Sequence, residues 1–226
     1  MSRYSKARAI ALIALFSALS LPAHASAVGD FNAGYDALLQ KNYARAIERF
    51  TSAIASGDLR PGNLALAHHY RGAEYLKTGH DDEAIADFDQ AIALNPKLYT
   101  AYYDRAIALR HKGELTRAIA DYSEAIRISP NVHYFYLHRG QAYAANHQLD
   151  EAVADYKQAL FYQPESVPSF VALGDAYMEQ GRRAEALAAF QQAMRRKGNL
   201  LEVYPGIAAK LTALRAVPDA NKLVLE

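Results

Sequence analysis

The chain has 226 residues, of which 25 are lysine or arginine and 24 are aspartate or glutamate, and it contains no cysteine. The absence of cysteine excludes disulfides, thiol catalysis, thiolate metal sites and a lipid anchor on cysteine. The formal net charge is only +1, and nucleic-acid binding, which needs a concentrated basic surface, is therefore not expected.

The first 25 residues have the organisation of a secretory signal peptide. Three basic residues precede an apolar run of 13 residues, and an A-x-A cleavage motif ends at Ala25. We predict cleavage after Ala25, or two residues later at a second motif that ends at Ala27. An apolar run of 13 residues is shorter than the ~20 residues that span a bilayer, so an uncleaved anchor is disfavoured. The mature chain is expected to be periplasmic or secreted, without an integral membrane span. The basic residues are Arg3, Lys6 and Arg8.

A 34-residue period runs through most of the remaining sequence. Each repeat has an alanine, an aromatic residue four positions later, and a small residue twelve positions before that alanine. A period of about 20 to 50 residues is typical of proteins whose units bury their apolar faces against one another. The alanines are Ala84, Ala118, Ala152 and Ala186, the aromatic residues are Phe88, Tyr122, Tyr156 and Phe190, and the small residues are Gly72, Ala106, Gly140 and Gly174.

Within a repeat, the spacing of apolar residues predicts two amphipathic helices. Over residues 115–128, apolar residues recur at steps of three and four, which is the spacing of one helical stripe. Short segments that contain glycine, such as 78–81 and 112–114, separate the helices of a pair.

These positions closely resemble the signature of the tetratricopeptide repeat. The resemblance implies an all-α, right-handed superhelical solenoid of helix-turn-helix units. Counted on that signature, the chain holds five repeats, a C-terminal capping helix and a tail, and four extra residues follow the first repeat. The repeats are 27–60, 65–98, 99–132, 133–166 and 167–200, the capping helix is 201–216 and the tail is 217–226.

An arginine and an aspartate recur together in three repeats, always sixteen residues apart. The arginines have two interpretations, a ladder of binding cations or intramolecular ion pairs. Where the arginine is replaced, by Ala33 and by Leu173, the aspartate is replaced too, by Arg49 and by Ala189. This joint absence favours intramolecular pairs, which suit the planar guanidinium group. The predicted pairs are Arg71 with Asp87, Arg105 with Asp121 and Arg139 with Asp155.

Histidines and catalytic motifs give no indication of a chemical site. His68 occupies a framework position that aromatic residues fill in later repeats, so we expect it to pack. The histidines on the first helices, His69, His111 and His138, belong to different repeats. Neighbouring helix axes lie roughly 8 to 10 Å apart, too far for ready convergence on one zinc ion. No G-x-S-x-G, H-E-x-x-H or phosphate-binding loop is present, and we expect no cofactor, no metal and no enzyme activity.

In the resembled family, the first helix of each repeat lines a concave surface, so the resemblance implies that the exposed stripe of these helices contacts a partner. The stripe is aromatic and weakly polar, and its cations are Arg110 and Lys77. The clamp for a terminal carboxylate found in cytosolic co-chaperone members of the family is therefore not indicated. The residues of the stripe are Tyr35, His69, Tyr70, Tyr103, Asp104, Ile107, Arg110, His111, Tyr134, Leu137, His138 and Gln141.

Four tyrosines of this stripe descend it across consecutive repeats and would form a diagonal track. Tyrosine offers a large rigid contact area and a hydroxyl, and it is enriched at binding hot spots. One interpretation is that the track holds an extended or helical segment of an exported partner. The other is that several of the rings pack against the adjacent first helix. The tyrosines are Tyr35, Tyr70, Tyr103 and Tyr134.

The sequence therefore predicts a non-catalytic periplasmic scaffold or adaptor that binds a partner segment on the concave face of the repeats. A structural subunit or homo-oligomer of an envelope or secretion complex is the first alternative, because the same face can be buried against fixed neighbours. A protein that binds a small molecule or a metal is the second alternative.

Overall fold

The computed structural model of the chain describes residues 23–196, 204 and 206–216. The chain divides into two compact units, residues 1–101 and 102–226. Residues 1–22 of the predicted signal peptide and the whole tail, 217–226, lie outside the described residues. The described residues form helices and turns without a strand, so the prediction of an all-α fold is confirmed.

The helices follow one another with short connections. The first unit contains α1 to α4 and the start of α5, and the second contains the rest of α5 and the later helices. The helices are α1 Ala23–Leu39, α2 Tyr43–Ala55, α3 Pro61–Lys77, α4 Asp81–Leu94, α5 Tyr99–His111, α6 Leu115–Ile128, α7 His133–Ala145, α8 Leu149–Tyr162, α9 Val167–Glu179, α10 Arg183–Arg196 and α11 Gly206–Ala216.

The first helix of each pair ends in the same kind of turn. After α5, Gly113 has φ +76°, and the next residue, Glu114, donates its backbone N–H to the carbonyl of Leu109 at 2.9 Å. This left-handed residue with a backward hydrogen bond is a standard helix ending that glycine favours. The position recurs as Gly79 and Gly181, but two pairs use side-chain-bearing residues there, Lys41 with φ 56° and His147 with φ 59°.

Buried aromatic rings fill the interior of the helix pairs. Phe88 on α4 is fully buried beneath Gly72 on α3, where an added Cβ would lie 2.9 Å from the ring. Tyr156 on α8 lies beneath Gly140 on α7, where an added Cβ would lie only 2.6 Å away. Because Cβ atoms do not approach so closely, the small residue allows the ring to lie against the helix backbone. The 34-residue pattern of glycine and aromatic residues is therefore a packing pattern.

The predicted Arg–Asp pairs are confirmed. Arg105 on α5 donates from Nε and Nη2 to the two carboxylate oxygens of Asp121 on α6, both at 2.7 Å. The other two arginines bind their aspartates through the same two hydrogen bonds. Each bond is 2.7 Å long for Arg71 in the first unit and 2.8 Å long for Arg139 in the second. Such pairs join the two helices of a repeat, and each guanidinium group is occupied by the aspartate of its own repeat. They are Arg71 with Asp87 and Arg139 with Asp155.

Two repeats lack this pair and replace it in different ways. In the α9–α10 pair, Leu173 and Ala189 are both buried, so apolar contact takes the place of the ions. In the α1–α2 pair the charges are exchanged between the helices, because Arg49 on α2 contacts Asp30 on α1 at 3.0 Å. One of the two repeats that lack the Arg–Asp pattern therefore still has an ion pair, with the charges reversed. Its acid is Asp30, three residues before Ala33.

His68 is nearly buried, as expected for its framework position, and it also makes a polar contact. Its Nδ1 lies 2.7 Å from Oδ1 of Asp87, the carboxylate that also binds Arg71. Burial raises the pKa of this carboxyl, but the hydrogen bonds from Arg71 and His68 outweigh burial and lower the pKa of Asp87 below its ordinary value. The charged carboxylate is therefore the form that the fold stabilises.

The last described helix, α11, covers the apolar end of the second unit. Its buried residues Ile207, Leu211 and Leu214 belong to the same apolar cluster as Phe190 on α10. It occupies the later part of the segment predicted as a capping helix. Lys210 on its outer side contacts Asp175 on α9.

Candidate functional site

The predicted stripe residues lie on the first helices of the pairs, α1, α3, α5 and α7. The structure gathers their rings into two groups, one in each unit. The first aromatic cluster consists of Phe31, Tyr35, Phe50, His69 and Tyr70. The second aromatic cluster consists of Tyr103, Tyr122, Tyr134, Phe135 and His138. A continuous track from Tyr35 to Tyr134 stays a prediction.

Tyr70 is the centre of the first aromatic cluster. Its ring centroid lies 5.7 Å from Tyr35, 6.2 Å from Phe31 and 5.7 Å from Phe50. Burial, with a smaller contribution from Tyr35, raises the pKa of Tyr70, so its hydroxyl stays protonated well above neutral pH. Tyr35 is the outermost ring, with 41% of its surface exposed.

Tyr103 is the centre of the second aromatic cluster. Its ring lies 5.2 Å from Tyr134, 5.0 Å from Phe135 and 5.8 Å from Tyr122, and it stacks on His138 with the planes 14° apart. Tyr134 is the outermost ring, with 38% of its surface exposed. Each cluster therefore presents one exposed tyrosine that is supported by rings fixed in the fold.

A hydrogen bond joins Tyr103 to His138. The hydroxyl oxygen lies 2.7 Å from Nδ1 of the imidazole. Burial, and then the nearby charge of Arg110, lowers the pKa of His138 from 6.5 to about 4, so the ring is neutral at pH 7. Burial also raises the pKa of Tyr103 above its ordinary value. The neutral imidazole and the hydroxyl share one hydrogen bond, in which the tyrosine donates when the imidazole proton is on Nε2 and Nδ1–H donates when it is on Nδ1.

Arg110, in the last turn of α5, brings a charge to the second aromatic cluster. Burial raises the pKa of Tyr122 to about 12, although the adjacent Arg110 acts in the opposite direction. Arg110 acts on this hydroxyl through its charge and as a neighbouring hydrogen-bond donor, although the two groups are not a well-aligned pair. The Tyr122 hydroxyl and the Arg110 Nε are both buried without a hydrogen-bond partner among the described residues.

Two of the predicted partner-contacting residues are not exposed, and that part of the prediction is wrong. Only 8% of His69 and 6% of Leu137 is accessible. His69 packs against the ring of Phe88, and Leu137 belongs to the buried apolar cluster of the second unit. Tyr70 and Tyr103 are half-buried and pack mainly against neighbouring helices, as the second interpretation of the tyrosines expected. Asp104, Ile107 and Gln141 are half-buried, and His111 is exposed.

Sequence reasoning missed two aromatic members of these clusters. Phe31 lies at the same position of its repeat as Tyr103 does in a later one, so the period itself could have identified it. Phe135 lies beside Tyr134 in sequence but is fully buried and supports Tyr103 from below. No period points to Phe135, because the equivalent positions hold small residues such as Ala101.

A metal-binding cluster and a membrane-spanning helix are both absent from the described part of the chain. No group of three histidine, cysteine, aspartate or glutamate side chains is placed there to hold a metal ion. None of the described helices combines the length and the apolar character that crossing a membrane requires. A polar cleft of about 620 Å³ is lined by turn residues that include His147, Asp150 and Arg182, and by no member of the aromatic clusters.

Comparison with known proteins identifies the repeat. The profile of the tetratricopeptide repeat family matches residues 70–133 and 137–200, which is more than half of the chain. Photosystem I assembly protein Ycf3 of Acaryochloris marina (strain MBIC 11017) is 29% identical over 84 residues. The match covers 37% of this chain and spans about half the length of that relative, 50%.

Solved structures share the fold. The crystal structure of MamA protein aligns with a TM-score of 0.70 at 20% identity, covering 78% of this chain and 94% of that one. The crystal structure of YrrB, described as a TPR protein with an unusual peptide-binding site, aligns with a TM-score of 0.68 at 18% identity. That alignment covers 79% of this chain and 91% of YrrB. At these identities the likeness concerns the fold alone.

Proposed function

Because the chain belongs to the tetratricopeptide repeat family, whose domains bind peptides or proteins, we propose that it is a non-catalytic scaffold for an exported partner protein. An extended or helical segment of that partner would contact the outer ring of an aromatic cluster. This ring is Tyr35 in the first unit and Tyr134 in the second.

The single observation that carries the proposal is the support beneath these exposed rings. Tyr134 is exposed, yet its ring lies 4.8 Å from Phe135 and 5.2 Å from Tyr103, which are themselves held by the fold. A ring held in this way loses little conformational freedom when a partner covers it, and so it favours binding. Tyr35 has the same relation to Tyr70.

The class of partner is supported by a protein of the same fold. YrrB is described as having a peptide-binding site, so a peptide segment is a ligand that this architecture can accommodate. The aromatic character of both clusters favours a segment with apolar or aromatic side chains, since these bury area against rings without leaving polar groups unpaired.

Export to the periplasm is part of the proposal and rests on the sequence of residues 1–25. Sequencing the amino terminus of the protein purified from a Gram-negative host tests it. We expect a mature terminus at Ser26 or Val28, following cleavage after Ala25 or Ala27, and recovery in the periplasmic fraction. A chain that keeps its first residues and stays in the cytoplasm would contradict this location.

Site-specific photo-crosslinking in intact cells tests the binding surface. A photoreactive phenylalanine analogue is placed at Tyr35 or Tyr134, and at Phe161 on α8 as the control, where 72% of the residue is exposed. We expect the same partner polypeptide, identified by mass spectrometry, from the two cluster positions and not from Phe161. Equal yields from all three positions, or none from the clusters, would refute the proposed surface.

A second candidate is a structural subunit that associates with copies of itself. It is favoured by apolar side chains exposed outside the aromatic clusters, above all Phe161 on α8 and Leu39 at the end of α1. Size-exclusion chromatography with light scattering separates the two functions. A stable oligomer that dissociates when Phe161 and Leu39 are replaced by serine supports the second, whereas a monomer supports the scaffold that binds another protein.

A further inference from the structure

Phe161 projects from the second unit on a rigid support. It is the penultimate residue of α8, and 72% of its surface is exposed, the largest fraction for a large apolar side chain among the described residues. Its ring lies 5.2 Å from Tyr162, which stacks on Tyr136 at 5.5 Å. The Tyr136 hydroxyl donates to the carbonyl of Pro130 at 2.9 Å. The projecting ring is therefore held by side chains that are themselves fixed in the fold.

The neighbours of Phe161 on the second helices of the pairs are basic. The same position of the repeat holds Arg127 on α6 and Arg195 on α10, each the penultimate residue of its helix and each exposed. Because consecutive repeats stack in register, these side chains form a row at the carboxyl ends of the second helices. Lys157 is also exposed and lies one turn before Phe161 on the same face of α8. We call Arg127, Lys157, Phe161 and Arg195 the basic aromatic row.

The basic aromatic row keeps a net positive charge in the folded chain. Lys157 and Arg195 have no ion pair among the described residues. The last seven positions of α6, α8 and α10 contain one acidic residue, Glu124. A basic residue near the carboxyl end of a helix also stabilises the helix, which explains the two arginines of the row but not the aromatic ring between them. The ion pairs at this end are Arg127 with Glu124 and Arg196 with Glu165.

We infer that the basic aromatic row docks the second unit on an anionic membrane surface. The ring of Phe161 inserts among the lipid headgroups, and the basic side chains contact the lipid phosphates. This inference goes beyond the scaffold function and rests only on the export that we propose, which brings the chain to a membrane surface in the periplasm. Charge complementarity selects this occupant, because each cation close to an anionic membrane strengthens binding about 5-fold.

A protein partner fits the basic aromatic row less well than a membrane does. A stable protein interface buries about 800 Å² on each partner around a dehydrated apolar centre. Near these carboxyl ends, Met194 is the other large apolar side chain exposed among the described residues, at 37%. One ring between cations offers little of such a centre. A headgroup layer accommodates it, because the ring enters the apolar boundary while the guanidinium groups stay hydrated.

Fluorescence of a single introduced tryptophan tests the insertion. The chain contains no tryptophan, so Phe161→Trp in the mature chain, residues 26–226, reports on this position alone. With vesicles of phosphatidylglycerol and phosphatidylethanolamine at low salt, we expect its emission to shift to shorter wavelength. Lipids brominated on their acyl chains should quench it. Leu39→Trp is the matched control, since Leu39 is 64% exposed in the first unit, and its emission should stay unchanged.

Cosedimentation with the same vesicles measures how much each side chain contributes. Phe161→Ser should bind about 10-fold more weakly, because it removes the apolar ring. Arg195→Gln should bind about 5-fold more weakly. Arg117→Gln is the control for charge, since Arg117 is exposed at the opposite end of α6, and it should bind like the parent. Binding of the parent should weaken as salt is added and should be lost on vesicles of phosphatidylcholine alone.

The outcomes separate this inference from the proposed function. Absence of binding to the anionic vesicles, or equal binding by Phe161→Ser and the parent, would overturn the membrane surface. Vesicle binding without a change in the emission of Phe161→Trp would place the contact elsewhere and overturn it too. An oligomer that depends on Phe161 in the absence of vesicles would assign the row to a second copy of the chain instead. None of these results bears on crosslinking from Tyr35 and Tyr134, which tests the scaffold function by itself.

Discussion

Tyr103 and His138 are joined twice, by rings that stack with centroids 5.5 Å apart and by a hydrogen bond of 2.7 Å between the tyrosine hydroxyl and Nδ1. The two residues come from α5 and α7, so the contact links the first helices of consecutive repeats. A charged imidazole could not accept this hydrogen bond, because both its nitrogens would carry protons. It could still donate Nδ1–H to the hydroxyl oxygen, but burial and the charge of Arg110 disfavour the charged form, so the stability of this contact depends on the protonation of His138.

This dependence predicts a loss of stability in mild acid. The pKa of His138 is lowered from 6.5 to about 4 in the folded chain, so the unfolded chain binds more protons between these values. The neutral imidazole of His138 therefore stabilises the fold above pH 6.5, and this stabilisation is lost as the pH falls from 6.5 to about 4. The free energy of unfolding should decrease by roughly 2 kcal/mol, after allowance for the partial solvent exposure of the ring. Urea unfolding across this range measures it.

His138→Gln should flatten this part of the pH dependence, because it removes the titrating group. His111→Gln is the control, since His111 lies on α5 and is exposed. An unchanged slope in His138→Gln would show that other groups cause the loss.

Removing the tyrosine hydroxyl should destabilise the fold even though the ring is kept. Tyr103→Phe leaves Nδ1 of His138 without its hydrogen-bond partner in a half-buried place, and we expect about 1–3 kcal/mol of lost stability in chemical unfolding. Tyr35→Phe removes an exposed hydroxyl that makes no hydrogen bond among the described residues, and it should change stability by less than about 0.5 kcal/mol. Similar values for the two variants would mean that the Tyr103–His138 bond adds nothing.

Two glycine-to-alanine changes should have opposite signs. At Gly140 an added Cβ would lie 2.6 Å from the ring of Tyr156, so the alanine should destabilise the chain by about 1–3 kcal/mol through overpacking. At Gly29, which lies in the first turn of α1 once the predicted signal peptide is removed, no atom lies within 4 Å of the added Cβ, and the greater helix propensity of alanine should stabilise the chain by no more than about 0.5 kcal/mol. Thermal unfolding of both variants compares them. Stabilisation by Gly140→Ala would contradict the close approach of helix and ring.

The features that could be predicted from the sequence are those that repeat. The helix pairs follow from the spacing of apolar residues, and the Arg–Asp pairs follow from their joint presence and absence within the chain. The reversed pair of Arg49 with Asp30 was not predicted because its acid stands at a different position of the repeat. The hydrogen bond of His68 was not predicted because equivalent positions hold aromatic residues.

The site was less predictable than the fold because exposure depends on what the next helix covers. Tyr134 and Leu137 both belong to the predicted stripe of α7, yet one is exposed and the other is buried. Helical spacing places both on neighbouring faces but does not determine how far an adjacent ring reaches over them. Among the described residues Arg110 is a half-buried arginine without an ion pair, and this difference likewise became visible only when the partners of the other arginines were known.

The left-handed turn after α7 should be improved by glycine. His147 has φ 59°, whereas glycine occupies the equivalent turns at Gly113 and Gly181. Because His147 is exposed, His147→Gly loses no packing and should raise stability by about 0.5–1 kcal/mol as the steric cost of a left-handed residue disappears. Gly113→Ala is the reciprocal variant and should lower stability by about 1 kcal/mol. Chemical unfolding measures the change in stability of both variants. Changes of the same sign would contradict the idea that this turn favours glycine.

Arg110 should contribute less to the stability of the fold than the paired Arg105 does. Arg110→Met removes a half-buried cation without an ion pair, so the free energy of unfolding should stay the same or rise by up to about 1 kcal/mol. Arg105→Met, on the same helix, leaves the carboxylate of Asp121 unpaired and should cost about 3 kcal/mol. An NMR titration gives a second reading, because the pKa of His138, which Arg110 helps to lower, should rise in Arg110→Met. A loss of stability as large as that of Arg105→Met would mean that Arg110 serves the fold, as a neighbour of the buried Tyr122 hydroxyl.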